Sequence, residues 1–165
     1  MRSRPTIICC ALLLVSGVTS ATDFPIADRV VIDKSDRLLH LFDNGEVIRT
    51  FEVALGLRPE GDKEREGDQK TPEGSYLLDM RNPNSDFFLS IRVSYPDVSD
   101  RAAASAKGVS PGGAIMIHGQ PNEPSRSEAY YKTQDWTDGC IAVSNSDMID
   151  IWLMTGENTP IEIRP

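Results

Sequence analysis

The sequence predicts a β-rich α+β domain, and three observations carry that expectation. Short runs of β-branched and aromatic residues recur from Arg29 to the C-terminus. Two of them are separated by Asn44-Gly45, the strongest short hairpin signal, because both turn residues must accept positive φ. Clear helical signals fall on only two segments, with no alternation of strand and helix along the chain. The strands are therefore expected to build a sandwich or barrel-like layer carrying two or three short helices.

The first 20 residues read as a secretory leader. Arg2 and Arg4 give a positive start, Ile7 to Val18 an apolar stretch, and Val18-Thr19-Ser20 small residues for cleavage. The apolar stretch falls short of the roughly 20 residues that span a bilayer, and no later stretch is apolar enough to do so. Cys9 and Cys10 leave with the leader. What remains is one domain, 28–165, expected outside the cytoplasm, in the periplasm.

Along that domain, 29–33, 38–42 and 47–53 read as strands, the last two forming the Asn-Gly hairpin. Residues 56–72 mix charges, glycines and prolines with no period and read as a solvated connection; such length inside a compact domain also points to function. Strands follow at 74–79 and 87–94, then a helix over 99–107 with Ser99 as cap and Gly108 as stop. A buried strand, 113–117, delivers His118 at its end. Residues 120–134 read as a loop or short helix. The segment 144–155 is the clearest helix, capped by Ser144 or Asn145, with Met148, Ile151, Trp152 and Thr155 on one face and Gly156 after it. A strand over 159–164 closes the chain.

The formal charge of -8 falls to -10 once Arg2 and Arg4 are removed. An acidic surface argues against nucleic acid, whose phosphates demand clustered Lys and Arg. Two histidines and one remaining cysteine do not make a closed zinc site, and neither a metal nor a cofactor is expected.

That remaining cysteine, Cys140, lies in Asp135-Trp136-Thr137-Asp138-Gly139-Cys140-Ile141-Ala142-Val143. In an oxidising compartment it has no intramolecular partner. It is either buried and inert, paired with another chain, or kept for its reactivity. A nucleophile needs a base, donors for the oxyanion, and access. His118, 22 positions upstream, is the natural base. Gly139 and Cys140 offer backbone N–H groups, and a helix shortly after the thiol would favour a thiolate. His40, between Leu39 and Leu41 in a strand, reads as structural.

His118-Gly119, Thr137-Asp138-Gly139-Cys140-Ile141 and Asn145 together resemble the signature of the YkuD-type L,D-transpeptidase catalytic domain. Ala54-Leu55-Gly56, Glu66-Gly67-Asp68 and Lys70-Thr71-Pro72-Glu73-Gly74 resemble the stretch before that family's central strand. The likeness runs from about Asp28 to Pro165. It implies that Cys140 attacks a peptidoglycan stem peptide at its L,D bond and forms a thioester, with His118 as base and then acid. The Gly119 carbonyl would hold the imidazole tautomer. An amine, from a neighbouring stem or a lipoprotein, would resolve the thioester; water would instead make the protein a carboxypeptidase or amidase. A non-catalytic wall-binding module is the remaining class. Two positions depart from the commoner pattern, Asp138 for a histidine and Ala142 for an arginine. Asp138 is expected to point away from the thiol toward the substrate amine; Arg126 either replaces the missing cation or is plain surface charge, and Trp136 either walls the peptide groove or belongs to the core.

Overall fold

Asn44 and Gly45, at φ +52° and +85°, close the first hairpin in the conformation that such a pair favours. The structure, a computed structural model, describes residues 25–165; the leader lies outside them. Around the hairpin, β1 (Arg29–Asp33), β2 (Leu38–Asp43) and β3 (Glu46–Glu52) pair antiparallel in sequence order. The C-terminal strand β8 (Thr159–Arg164) inserts parallel to β1 and antiparallel to β4 (Gly74–Ser85). Beyond it lie β5 (Phe88–Val93), β6 (Met116–His118) and β7 (Ile141–Ala142). One curled mixed sheet of eight strands results, in the order β3-β2-β1-β8-β4-β5-β6-β7. This is the β-rich α+β architecture expected from the sequence, its barrel-like layer realised as a single curled sheet with three short helices.

Alternation within the strands sends one face into the core. Val30, Ile32, Leu39, Leu41, Leu78, Ile91, Ile117, Ile141 and Ile161 are buried there, each side chain contributing about 1.5–3 kcal/mol by leaving water. Three helices accompany the sheet. In α1 (Val98–Ala106) the cap is Asp97 rather than Ser99: Asp97 accepts from the Asp100 N–H at 2.9 Å, and Asp100 accepts from the Asp97 N–H at 2.8 Å. An aspartate at the third position closes this reciprocal box, a residue the usual Glu/Gln rule does not flag. The segment 120–134 contains α2 (Glu128–Thr133), capped by Ser127.

Ser144 caps α3 (Asn145–Met154), which buries Met148, Ile151 and Met154 against the sheet. Its C-terminal carbonyls, left open by the helix, accept from Arg81. That guanidinium lies over Trp152 at 4.7 Å and donates to the carbonyls of Trp152, at 2.7 Å, and Thr155. Arg81 belongs to β4, which runs well past the predicted 79. Its Asn82-Pro83-Asn84 run reads as a turn in sequence, but the strand passes through it with register shifts against β5.

The connection 56–72 is docked rather than solvated. Lys63, Asp68 and Thr71 within it are buried. Lys34, also buried, donates from Nζ to the carbonyls of Gly61 (2.8 Å) and Thr71 (3.0 Å) and pairs with Glu73 (2.8 Å). These bonds tie the segment to the C-terminal end of β1.

Candidate active site

β6 and β7 run parallel, with Ile117 opposite Ile141 and His118 opposite Ala142. His118 pairs with Ala142 on the neighbouring strand, and Cys140 directly precedes β7, so the 22 residues between the two positions bring them to adjacent strands of the sheet.

His118 is 4% exposed. Its Nδ1–H donates to the Gly119 carbonyl at 2.7 Å; a carbonyl only accepts, so this bond fixes the tautomer and leaves the Nε2 lone pair free for a proton. Burial holds the imidazole pKa below its ordinary value, partly countered by the Gly119 carbonyl. The ring is packed by Phe87, centroids 4.6 Å apart, and by Trp136 at 5.6 Å, with Tyr131 behind Trp136 at 5.0 Å. Gly119 admits no side chain: an added Cβ would lie 2.6 Å from Asn145 Oδ1. That same oxygen accepts from the Gln120 N–H at 2.7 Å, so Asn145 fixes the backbone that supplies the carbonyl.

Cys140 is half-buried. Its Sγ–H donates to the Ala114 carbonyl at 3.5 Å. Ala114 has φ +55°, uncommon for a residue with a Cβ, and this turn is why β6 starts at Met116 instead of 113. Burial raises the thiol pKa; the Met116 N–H, aimed at the sulfur, lowers it; Asp138 raises it and Lys63 lowers it. The resting pair is therefore a neutral thiol beside a neutral imidazole, and a proton must pass to Nε2 as the sulfur attacks.

Three expectations need correction. The Gly139 N–H is not a free oxyanion donor, because it donates to Thr137 Oγ1 at 3.1 Å. The hydroxyl of Thr137 donates in turn to the Cys140 carbonyl at 2.7 Å, so the tight turn consumes the amide. Helix α3 begins five residues after the thiol, and its cap serves its own first turn, Ser144 Oγ accepting from the Asp147 N–H. The amide that faces the sulfur is that of Met116 on the neighbouring strand. Asp138 is exposed, but it does not escape the thiol electrostatically, since its charge pushes the thiol up.

The turn is stitched to the opposite segment. Asp135 accepts from the Leu55 N–H (2.8 Å) and from Arg37 (2.9 Å), and Leu57 N–H donates to the Thr137 carbonyl (2.9 Å). Ala54 bridges Ala142. Beyond that bridge opens a cleft of about 850 Å³, whose lining includes neither Cys140 nor His118. Its walls include Gln120, Arg126, Tyr131, Ser144 and Asp147. Arg126 stands there over the Tyr130 ring at 5.7 Å. Trp136 belongs to the aromatic cluster on His118, with its Nε1 buried and lacking a partner. Among the described residues, no three His, Cys, Asp or Glu side chains converge as metal ligands would.

Sequence reasoning passed over Thr137, Asn145 as a positioning group, Phe87 and Met116. Thr137 carried a faint signal, a hydroxyl two residues before a turn glycine. Met116 acts through its backbone and carried none.

The family model for the YkuD L,D-transpeptidase catalytic domain matches residues 27–163. The chain belongs to that family. YafK of Escherichia coli (strain K12), which bears the name putative L,D-transpeptidase, is 28% identical over 96 residues, covering 54% of this chain and 37% of YafK. The helical cell shape determining protein Pgp2 of Campylobacter jejuni superposes with a TM-score of 0.61 at 29% identity, over 82% of this chain and 46% of Pgp2. An L,D-transpeptidase of Mycobacterium smegmatis shares the fold, TM-score 0.54 at 15% identity, over 83% of this chain and 58% of its own. This chain therefore spans less than half the length of YafK or Pgp2.

Proposed function

We propose that this YkuD-family domain is an exported cysteine acyltransferase acting on peptidoglycan stem peptides in the periplasm. The observation that carries the reading is the Nδ1–H to Gly119 carbonyl bond, which leaves Nε2 unprotonated on the strand beside the Cys140 turn. In the first half-reaction Sγ attacks the carbonyl of the L,D bond and its proton passes to His118 Nε2. The C–S bond forms, the C–N bond breaks, and the imidazolium protonates the departing amine of the terminal D-amino acid. The Cys140 N–H is assigned as backbone donor to the developing oxyanion, since the Gly139 N–H is engaged by Thr137. In the second half-reaction an amine from another stem, or from a wall-linked lipoprotein, attacks the thioester and restores the thiol.

A second reading ends the thioester with water, giving a carboxypeptidase or an amidase. It is favoured by Ala142, which brings no cation to the position nearest the thiol for holding a second substrate. Arg126 is assigned to substrate binding in the cleft, Trp136 to the peptide groove beside His118, and Asp138 to the incoming amine. Purified protein incubated with tetrapeptide muropeptides and analysed by mass spectrometry decides: cross-linked dimers mark transfer, tripeptide alone marks hydrolysis. Product that persists unchanged in Cys140→Ala, or no product from the parent protein, defeats both readings and leaves a wall-binding module.

A further inference from the structure

The tip of the β4–β5 hairpin is held from outside the hairpin, by Asn122 in the loop that follows His118 and Gly119. Asn122 N–H donates to the Asp86 carbonyl (2.9 Å), its Nδ2 donates to the Ser85 carbonyl (2.9 Å), and its Oδ1 accepts from the Phe88 N–H (3.0 Å). Asn122 is exposed, and an exposed amide ordinarily meets water. This one spends its backbone donor and both ends of its side chain on a single turn. Phe88 is held there at φ +67°, a conformation that persists in a residue with a Cβ only where the surroundings enforce it.

The clamped turn bears on the imidazole and on the residue that orients it. Phe87 lies on the His118 ring, centroids 4.6 Å apart, and neighbours Trp136 at 6.0 Å. Phe87 is 37% exposed, whereas His118 is 4% exposed. The imidazole is thus buried under a ring that is itself open to solvent, a poor place for a phenyl group if burying its own surface were the only gain. The tip also sits on Gly119. An added Cβ there would lie 3.0 Å from Phe88 Cβ and 3.2 Å from the Phe87 carbonyl oxygen, and the Gly119 N–H donates to the Leu89 carbonyl at 3.2 Å.

We propose that the hairpin tip is a roof over the general base: Asn122 clamps the turn, and Phe87 seals His118 from water and holds its ring against the Gly119 carbonyl. Both are positioning residues. The proposal rests on the reading of His118 as base. Imidazolium without water is disfavoured, so the roof keeps the base free of a second proton at mildly acidic pH. Burial is the chief cause of the lowered His118 pKa, with the Gly119 carbonyl working against it. The titratable groups on the elements packed about the ring are Asp86 and Glu123 on the two clamped segments, Asp138 and Cys140 ahead of β7, and Tyr131 of α2 behind Trp136. Of these, Asp86, Glu123 and Asp138 are exposed.

The test is the pH titration of the His118 ring by proton NMR on the full chain, its signal told from that of His40, the other histidine, by comparison with His40→Gln. Phe87→Ala lets water reach the ring and raises the midpoint by about 0.5–1 pH unit, a three- to tenfold change in the protonation equilibrium. Asn122→Ala leaves the Phe87 ring intact but frees the tip, and raises the midpoint in the same direction. Phe87→Tyr, which keeps the ring, reproduces the parent titration. A turn that merely stabilises the fold lowers the melting temperature and leaves the midpoint where it was. That outcome in either alanine variant overturns the proposal. Should Phe87→Ala fail to fold in a thermal melt, Asn122→Ala decides: a raised midpoint supports the roof, an unchanged or lowered one overturns it. The titration needs no substrate, so the result stands apart from whether muropeptides are turned over.

Discussion

Replacing Thr137 by valine keeps the shape of a side chain that is 4% exposed and removes only its hydroxyl. That oxygen accepts from the Gly139 N–H at 3.1 Å and donates to the Cys140 carbonyl at 2.7 Å. Both backbone groups lose their partner. A buried polar group left unmet costs about 1–3 kcal/mol, and water reaches the half-exposed Cys140 side more readily than Gly139. The sum is about 2–4 kcal/mol, out of the roughly 5–15 kcal/mol typical of a domain. At this size each kcal/mol moves the midpoint by about 3 °C, so Thr137→Val melts about 6–12 °C below the parent while remaining folded at room temperature. The freed turn also displaces the thiol, and misplacing a reacting group by about 1 Å costs on the order of 100-fold. Scanning calorimetry and muropeptide turnover measure the two effects, and Thr137→Ser restores both. A valine variant that melts within about 2 °C of the parent and turns over normally would show that the hydroxyl does not hold the turn.

Three further outcomes follow from the same geometry. Asp68, at about 2 in the fold against 3.8 unperturbed, contributes about 2 kcal/mol that is fully present above pH 4 and lost as pH falls toward 2. Acid titration of melting temperature detects it, and Asp68→Asn flattens that limb; an identical limb in the variant refutes the assignment. For catalysis, the buried imidazole stays neutral below its ordinary pKa, so the acid limb of kcat/KM lies below about pH 6.5. An acid limb above that value would mean the ring is held by a carboxylate rather than by the Gly119 carbonyl. Gly139→Ala meets Lys70 O at 2.6 Å from a backbone at φ +129°, for a loss on the order of 3 kcal/mol. Gly45→Ala, with φ +85° and nothing within 4 Å, costs only about 1 kcal/mol. Equal melting shifts for the two alanine variants would contradict the close crossing at Gly139.

Legibility followed the range of the interactions. The Asn44-Gly45 hairpin and the Ser144 cap of α3 depend on neighbours a few residues away, and these could be read directly. The α1 cap lies two residues before Ser99 because Asp97 and Asp100 close their box with an aspartate where Glu or Gln is usual, and Asn82-Pro83-Asn84 hides the second half of β4. The charged 56–72 segment read equally as solvent-facing, since nothing local reveals that Lys34, Lys63 and Asp68 will be enclosed.

What the amino-acid order determined by itself was the family, and it marked out Cys140 and His118 as the proposed reacting pair, because these need particular residue types in particular succession. Only the tertiary structure decided which amides are free. Thr137 takes the Gly139 N–H, and Lys63 and Asp68 from a charged loop are enclosed as a buried pair. Backbone donors look alike in every sequence, and a buried charge is distinguished from a solvated one only by what folds over it.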